Sequence, residues 1–107
     1  MRLAIVLAFF LNLNAQAAGS ADDGKAAFIR HGCYECHGFD GQGGAGKTLA
    51  PSALPYDAFA AIVRNSTNAM PPYQQAILPD ADLAAIYAYL KSLPKPPDYK
   101  SLPLLNQ

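Results

Sequence analysis

The chain has little of what most chemical sites are built from. Its 107 residues include two cysteines, two histidines and two methionines. Two cysteines cannot build a disulfide framework, and a single bridge across a C-x-x-C loop would stabilise little. Charged residues make up 15% and balance at eight basic against eight acidic, with no basic cluster, which removes the electrostatic case for nucleic acid. No segment alternates as a strand does, and no internal repeat is present. No apolar run approaches the ~20 residues needed to span a bilayer. What remains is a mostly helical chain, of a size for one domain, with few large apolar side chains to close a core.

The longest apolar run is residues 3–11, after Met1-Arg2 and ahead of Ala15-Gln16-Ala17. A charged start, a short apolar stretch and an A-x-A end form a secretory signal, so residues 1–17 are expected to be removed on export to the periplasm. Removal takes Arg2 alone among the charged residues, leaving seven basic against eight acidic. The following residues, 18–94, are read as the functional domain, and residues 95–107 as a proline-rich tail.

The segment on which the chain turns is Cys33-Tyr34-Glu35-Cys36-His37. C-x-x-C-H is the attachment pattern of a covalently bound c-type haem. Two thiols separated by two residues each add to one vinyl group, and the next imidazole reaches the iron. The same C-x-x-C also serves thiol oxidoreductases and half of many zinc sites. Export suits haem attachment, and an embedded haem would supply the core that so small a domain otherwise lacks. Cys33 and Cys36 are therefore the candidate covalent sites for one haem c, and His37 the candidate iron ligand.

Ser20-Ala21-Asp22-Asp23 reads as a helix start, and Gly24 inside the helix it opens suggests a close crossing. After His37 comes a glycine-rich loop in which residues 41–48 spell G-x-x-x-x-G-K-T. That pattern holds phosphate only between a buried strand and a helix. Here a Cys/His segment precedes it and prolines follow, so no nucleotide is expected. A short helix is predicted from residue 55 or 56 to 64, with Phe59, Ile62 and Val63 on one face. The strongest helix is predicted over about 81–92, with Leu83, Ile86, Tyr87, Leu90 and Leu93 as its stripe. Tyr87 and Tyr89 are expected as core or edge aromatics. Leu102, Leu104 and Leu105 in the tail follow no helical or strand pattern.

A sixth iron ligand follows by elimination. His31 lies six residues before His37 and cannot reach round the ring, and both cysteines are used. Met70 is the sole methionine after the signal, 33 residues beyond His37 and followed by two prolines that stiffen its segment. It is the candidate axial partner of His37; a core methionine filling a gap is the alternative.

Together, Gly24, Phe28, the Cys33 to Gly38 run, Ala50-Pro51, Arg64 ahead of Met70-Pro71, and Tyr89-Leu90 resemble a small bacterial class I cytochrome c. The resemblance implies an all-α fold of three to five short helices around one haem, with Gly24 and Phe28 crossing Ile86 and Tyr89. It also implies that the Pro51 carbonyl accepts the Nδ1 proton of His37. Arg64 is a candidate partner for a haem propionate, or else a solvated helix end. The implied activity is outer-sphere electron transfer with redox proteins such as a periplasmic dehydrogenase, an oxidase or another cytochrome. Two rival readings are a five-coordinate haem sensor or peroxidase, and a thiol-disulfide oxidoreductase. The sequence departs from the family in having Asn65-Ser66 where glycine often follows the arginine, and in its tail.

Overall fold

The computed structural model describes residues 20–105, so the expected signal at 1–17 lies outside the described residues. Four helices form the described chain: α1 (Ala21–Arg30), α2 (Cys33–His37), α3 (Tyr56–Asn65) and α4 (Asp80–Ser92). Two single 3-10 turns, Tyr99–Ser101 and Pro103–Leu105, lie in the tail. No strand occurs among the described residues, and no helix there is long and apolar enough to cross a membrane.

Helix α1 begins where Ser20 Oγ accepts the Asp23 backbone N–H at 3.1 Å, with Asp22 and Asp23 in the first turn. It ends at His31, whose N–H returns to the Ala27 carbonyl, before Gly32 turns left-handed. Helix α4 follows Pro79 and carries Asp80 and Asp82 in its first turn and Lys91 in its last. These charges complement the helix dipole at both ends.

The core is the crossing of α1 on α4. Gly24 makes it possible, because an added Cβ there would land on the Ala85 carbonyl and beside Tyr89 Cβ. Next to that contact the Phe28 and Tyr89 rings pack with centroids 5.6 Å apart. The expected crossing of Gly24 and Phe28 with Ile86 and Tyr89 is thus present, with Ala85 as the residue nearest Gly24. Phe28, Leu78, Leu83 and Leu90 are fully buried, each worth about 1.5–3 kcal/mol.

Two details differ from the helical stripe read in the sequence. Tyr89, rather than Tyr87, is the buried tyrosine of α4. Tyr87 is half-buried between Tyr56 and Phe59. Both hydroxyls anchor the long connection from α2 to α3: Tyr89 donates to the Phe39 carbonyl at 2.9 Å and Tyr87 to the Leu54 carbonyl at 2.7 Å. Ile62 is 53% exposed, unlike its helix neighbours Phe59 and Val63, because it lies at the edge of a cavity.

Candidate functional site

That cavity lies between the helices. Its walls are apolar, with Phe28 and Leu90 from the main crossing, Phe59 and Val63 from α3, and Leu83 and Ile86 from α4. It encloses about 210 Å³ and opens to solvent at its mouth. Cys33, His37, Met70 and Tyr73 all line it. The chain therefore brings together, in one apolar space, three of the four residues that the sequence singled out for cofactor chemistry.

The fourth, Cys36, is exposed on the same short helix. In α2 a spacing of three sets Cys36 beside Cys33, and a spacing of four sets His37 beside it as well. Both cysteines are free. Burial pushes the Cys33 thiol up to about 11, the opposite of the lowered value that a thiol-disulfide nucleophile needs. Among the described residues no three His, Cys, Asp or Glu side chains gather to hold a metal ion, so the C-x-x-C has no second half for zinc.

His37 is oriented by its own loop. Its Nδ1 lies 2.8 Å from the Lys47 carbonyl. A carbonyl only accepts, so Nδ1 carries the proton and Nε2 keeps the lone pair that a metal needs. This corrects the acceptor expected at Pro51, which is exposed beyond a cis Ala50–Pro51 peptide and does not line the cavity. The loop reaches His37 earlier because it folds straight back over α2. Gly46 N–H donates to the Cys36 carbonyl at 2.7 Å and Gly43 N–H to the His37 carbonyl at 2.8 Å. Gly46 lies against the imidazole, where an added Cβ would sit 2.8 Å from His37 Cε1. The G-x-x-x-x-G-K-T pattern is thus a wrap around a histidine, with bends and no helix following it until Tyr56.

Arg64 is also placed differently from its expected role. Its Nη1 donates to the carbonyls of Tyr73 at 3.0 Å and Leu78 at 2.6 Å, and its Nη2 meets Asp80 Oδ1 at 2.6 Å. The side chain is 19% exposed and does not line the cavity. It is neither a solvated helix end nor turned towards a propionate, because two carbonyls and a carboxylate of the following segment occupy the guanidinium.

Sequence reasoning missed Lys47, Gly46, Tyr73 and Asp80. Lys47 acts through a carbonyl, which no side chain announces. Gly46 carried a signal, the clustering of glycines just after His37, but that signal does not say which glycine faces the ring. Tyr73 acts through its hydroxyl, which donates to the His31 carbonyl at 3.1 Å, and burial raises its pKa above the usual phenol value.

The residues present fit a flat, largely apolar macrocycle fixed at one edge. The walls supply apolar contact, a thiol and an imidazole arrive from one helix, and a thioether comes from a separate segment. A family model described as cytochrome c oxidase, cbb3-type, subunit III matches residues 19–90. No curated protein and no solved structure matches the chain.

Proposed function

Because the chain belongs to the cytochrome c oxidase, cbb3-type, subunit III family and so is a monohaem c-type cytochrome domain that serves haem-based electron transfer, we propose that it carries electrons in the periplasm through a haem held by Cys33, Cys36, His37 and Met70. Cys33 and Cys36 would form the two thioether links. His37 and Met70 would be the axial ligands. The observation that carries this reading is the meeting of Cys33, His37 and Met70 in one apolar cavity. When bound, the haem supplies a one-electron ferric–ferrous couple.

The protein's own groups have separate tasks. The Lys47 carbonyl holds the His37 ring in the tautomer whose Nε2 can bind iron. Phe59, Val63, Leu83 and Ile86 line the cavity and exclude water from it, which favours the less charged, reduced state. Met70 on the iron would leave no free site there for dioxygen, peroxide or carbon monoxide, which favours an electron carrier over a haem enzyme. Leu54 and Ile62 line the cavity and are also 42% and 53% exposed. They make its mouth an apolar contact for a redox protein.

The test is the visible spectrum of the exported protein, oxidised and then reduced, with and without carbon monoxide. A low-spin c-type spectrum indifferent to carbon monoxide is expected. A spectrum that shifts with carbon monoxide would remove Met70 from the iron, and the absence of haem after coexpression with attachment machinery would remove the proposal.

A further inference from the structure

The segment that carries Met70, residues 66–79, has no helix of its own. Besides the buried Leu78 side chain, two side chains tie it to the rest of the fold. Arg64, in the last turn of α3, reaches across the segment to Tyr73, Leu78 and Asp80 at once. Tyr73 is tied at three points: its carbonyl accepts from Arg64, its N–H donates to the Val63 carbonyl at 2.9 Å, and its hydroxyl donates to the His31 carbonyl. His31 closes α1 only two residues before Cys33. The Tyr73 hydroxyl is therefore a direct link between the segment carrying Met70 and the segment that leads into the C-x-x-C-H helix.

We propose that Arg64 and Tyr73 are positioning residues for Met70, fixing its segment against the helix that carries His37; this rests on the methionine ligation proposed above. A thioether is a neutral, weak ligand, and its occupancy of the iron depends on how little the backbone beneath it moves. The planar guanidinium suits the task, because its fixed fork satisfies several acceptors in one geometry. Gln75 Nε2 adds to it by donating to the second oxygen of Asp80 at 2.8 Å, so the carboxylate that receives Arg64 is itself oriented. Pro71 and Pro72 stiffen the short span between Met70 and the tied Tyr73, which transmits the anchoring to the sulfur.

The experiment compares the full haem-loaded chain with Tyr73→Phe, Arg64→Gln, Met70→Ala and the matched control Tyr87→Phe. The control also loses one tyrosine hydroxyl bond to a carbonyl, but in the other loop. Two readouts are followed: the far-red sulfur-to-iron charge-transfer band of the oxidised protein, and carbon monoxide uptake by the reduced protein. Tyr73→Phe is expected to weaken the band and raise the carbon monoxide-accessible fraction about fivefold, the factor set by one net hydrogen bond. Arg64→Gln is expected to do more, and Tyr87→Phe to leave both readouts unchanged. If Arg64→Gln does not mature, Tyr73→Phe decides alone. A full band and unchanged carbon monoxide indifference in Tyr73→Phe would overturn the positioning role while leaving the ligation standing. Equal weakening in Tyr87→Phe would overturn it too, because the effect would then be general softening. An unaltered protein that lacks the band and is insensitive to Met70→Ala would overturn the ligation and this inference together.

Discussion

The two loops that flank the cavity hold their side chains by different means. Residues 38–55, beside His37, are tied near their two ends by the Tyr89 and Tyr87 hydroxyls, but the part that wraps His37 is fixed by backbone groups and short local bonds. Gly43 and Gly46 donate back to α2, Leu49 and Ala50 both donate to the Gly41 carbonyl, and Thr48 donates to the Gln42 carbonyl. Residues 66–79, beside Met70, rely on the long side chains of Arg64 and Tyr73, which reach partners as far away in sequence as His31. The histidine side is therefore built by where the chain can go, and tolerates change only where there is space. The methionine side is built by identifiable functional groups, and each can be removed without a steric clash.

The largest expected effect comes from breaking the first arrangement. Gly46→Ala places a Cβ 2.8 Å from His37 Cε1 and about as close to Nδ1, so the ring or the loop must shift and the Lys47 bond weakens. Overpacking of this kind costs about 1–3 kcal/mol; chemical denaturation of the haem-loaded protein is the check. An unchanged midpoint would show that the histidine loop is as forgiving as the methionine loop is adjustable.

A smaller effect sharpens the comparison at the point from which both sides hang. Asp82, at the start of α4, receives His31 Nε2 and Arg30 Nη2, each at 3.0 Å. These bonds, that from His31 first, lower the Asp82 pKa below its ordinary 3.8. A carboxyl with a lowered folded-state pKa stabilises the fold fully above its ordinary value and loses that contribution as pH falls through the lowered one. Asp82→Asn is thus expected to flatten the acid limb of a melting-temperature profile below about pH 4 while leaving the neutral-pH spectrum unaltered. The pair is solvent-accessible, so the change is modest.

The smallest effect is expected from removing residues 95–107. Leu104 and Leu105 there are 83% and 62% exposed, and the tail adds no residue to the cavity lining. Its deletion should leave the haem spectrum unchanged and weaken binding to a redox partner. Unchanged affinity in a binding titration would separate the tail from partner recognition.

Much of the arrangement was legible because it depends on local chemistry. Ser20 announces the start of α1, the Gly24 and Phe28 spacing announces the helix crossing, and C-x-x-C-H and Met70 announce themselves by rarity. Other parts depend on the path of the backbone and were hidden. The acceptor for His37 is the carbonyl of Lys47, not Pro51, because the glycine loop turns back sooner than the proline suggests. Arg64 was visible as a charge, but its partners at Tyr73, Leu78 and Asp80 meet only after residues 66–79 fold across α3. Ile62 fits the buried spacing of α3, yet that face borders a cavity, so periodicity identified the face without saying what fills the space beyond it.

The half-burial of Cys33 bears on the order of events in the life of the chain. A thiol that keeps its proton up to about 11 is a poor nucleophile in the closed fold, while Cys36 remains exposed. The covalent link proposed at Cys33 would therefore form more readily while that thiol is still open to solvent than after it is enclosed. The order expected under that proposal is attachment first, then closure around what has been attached.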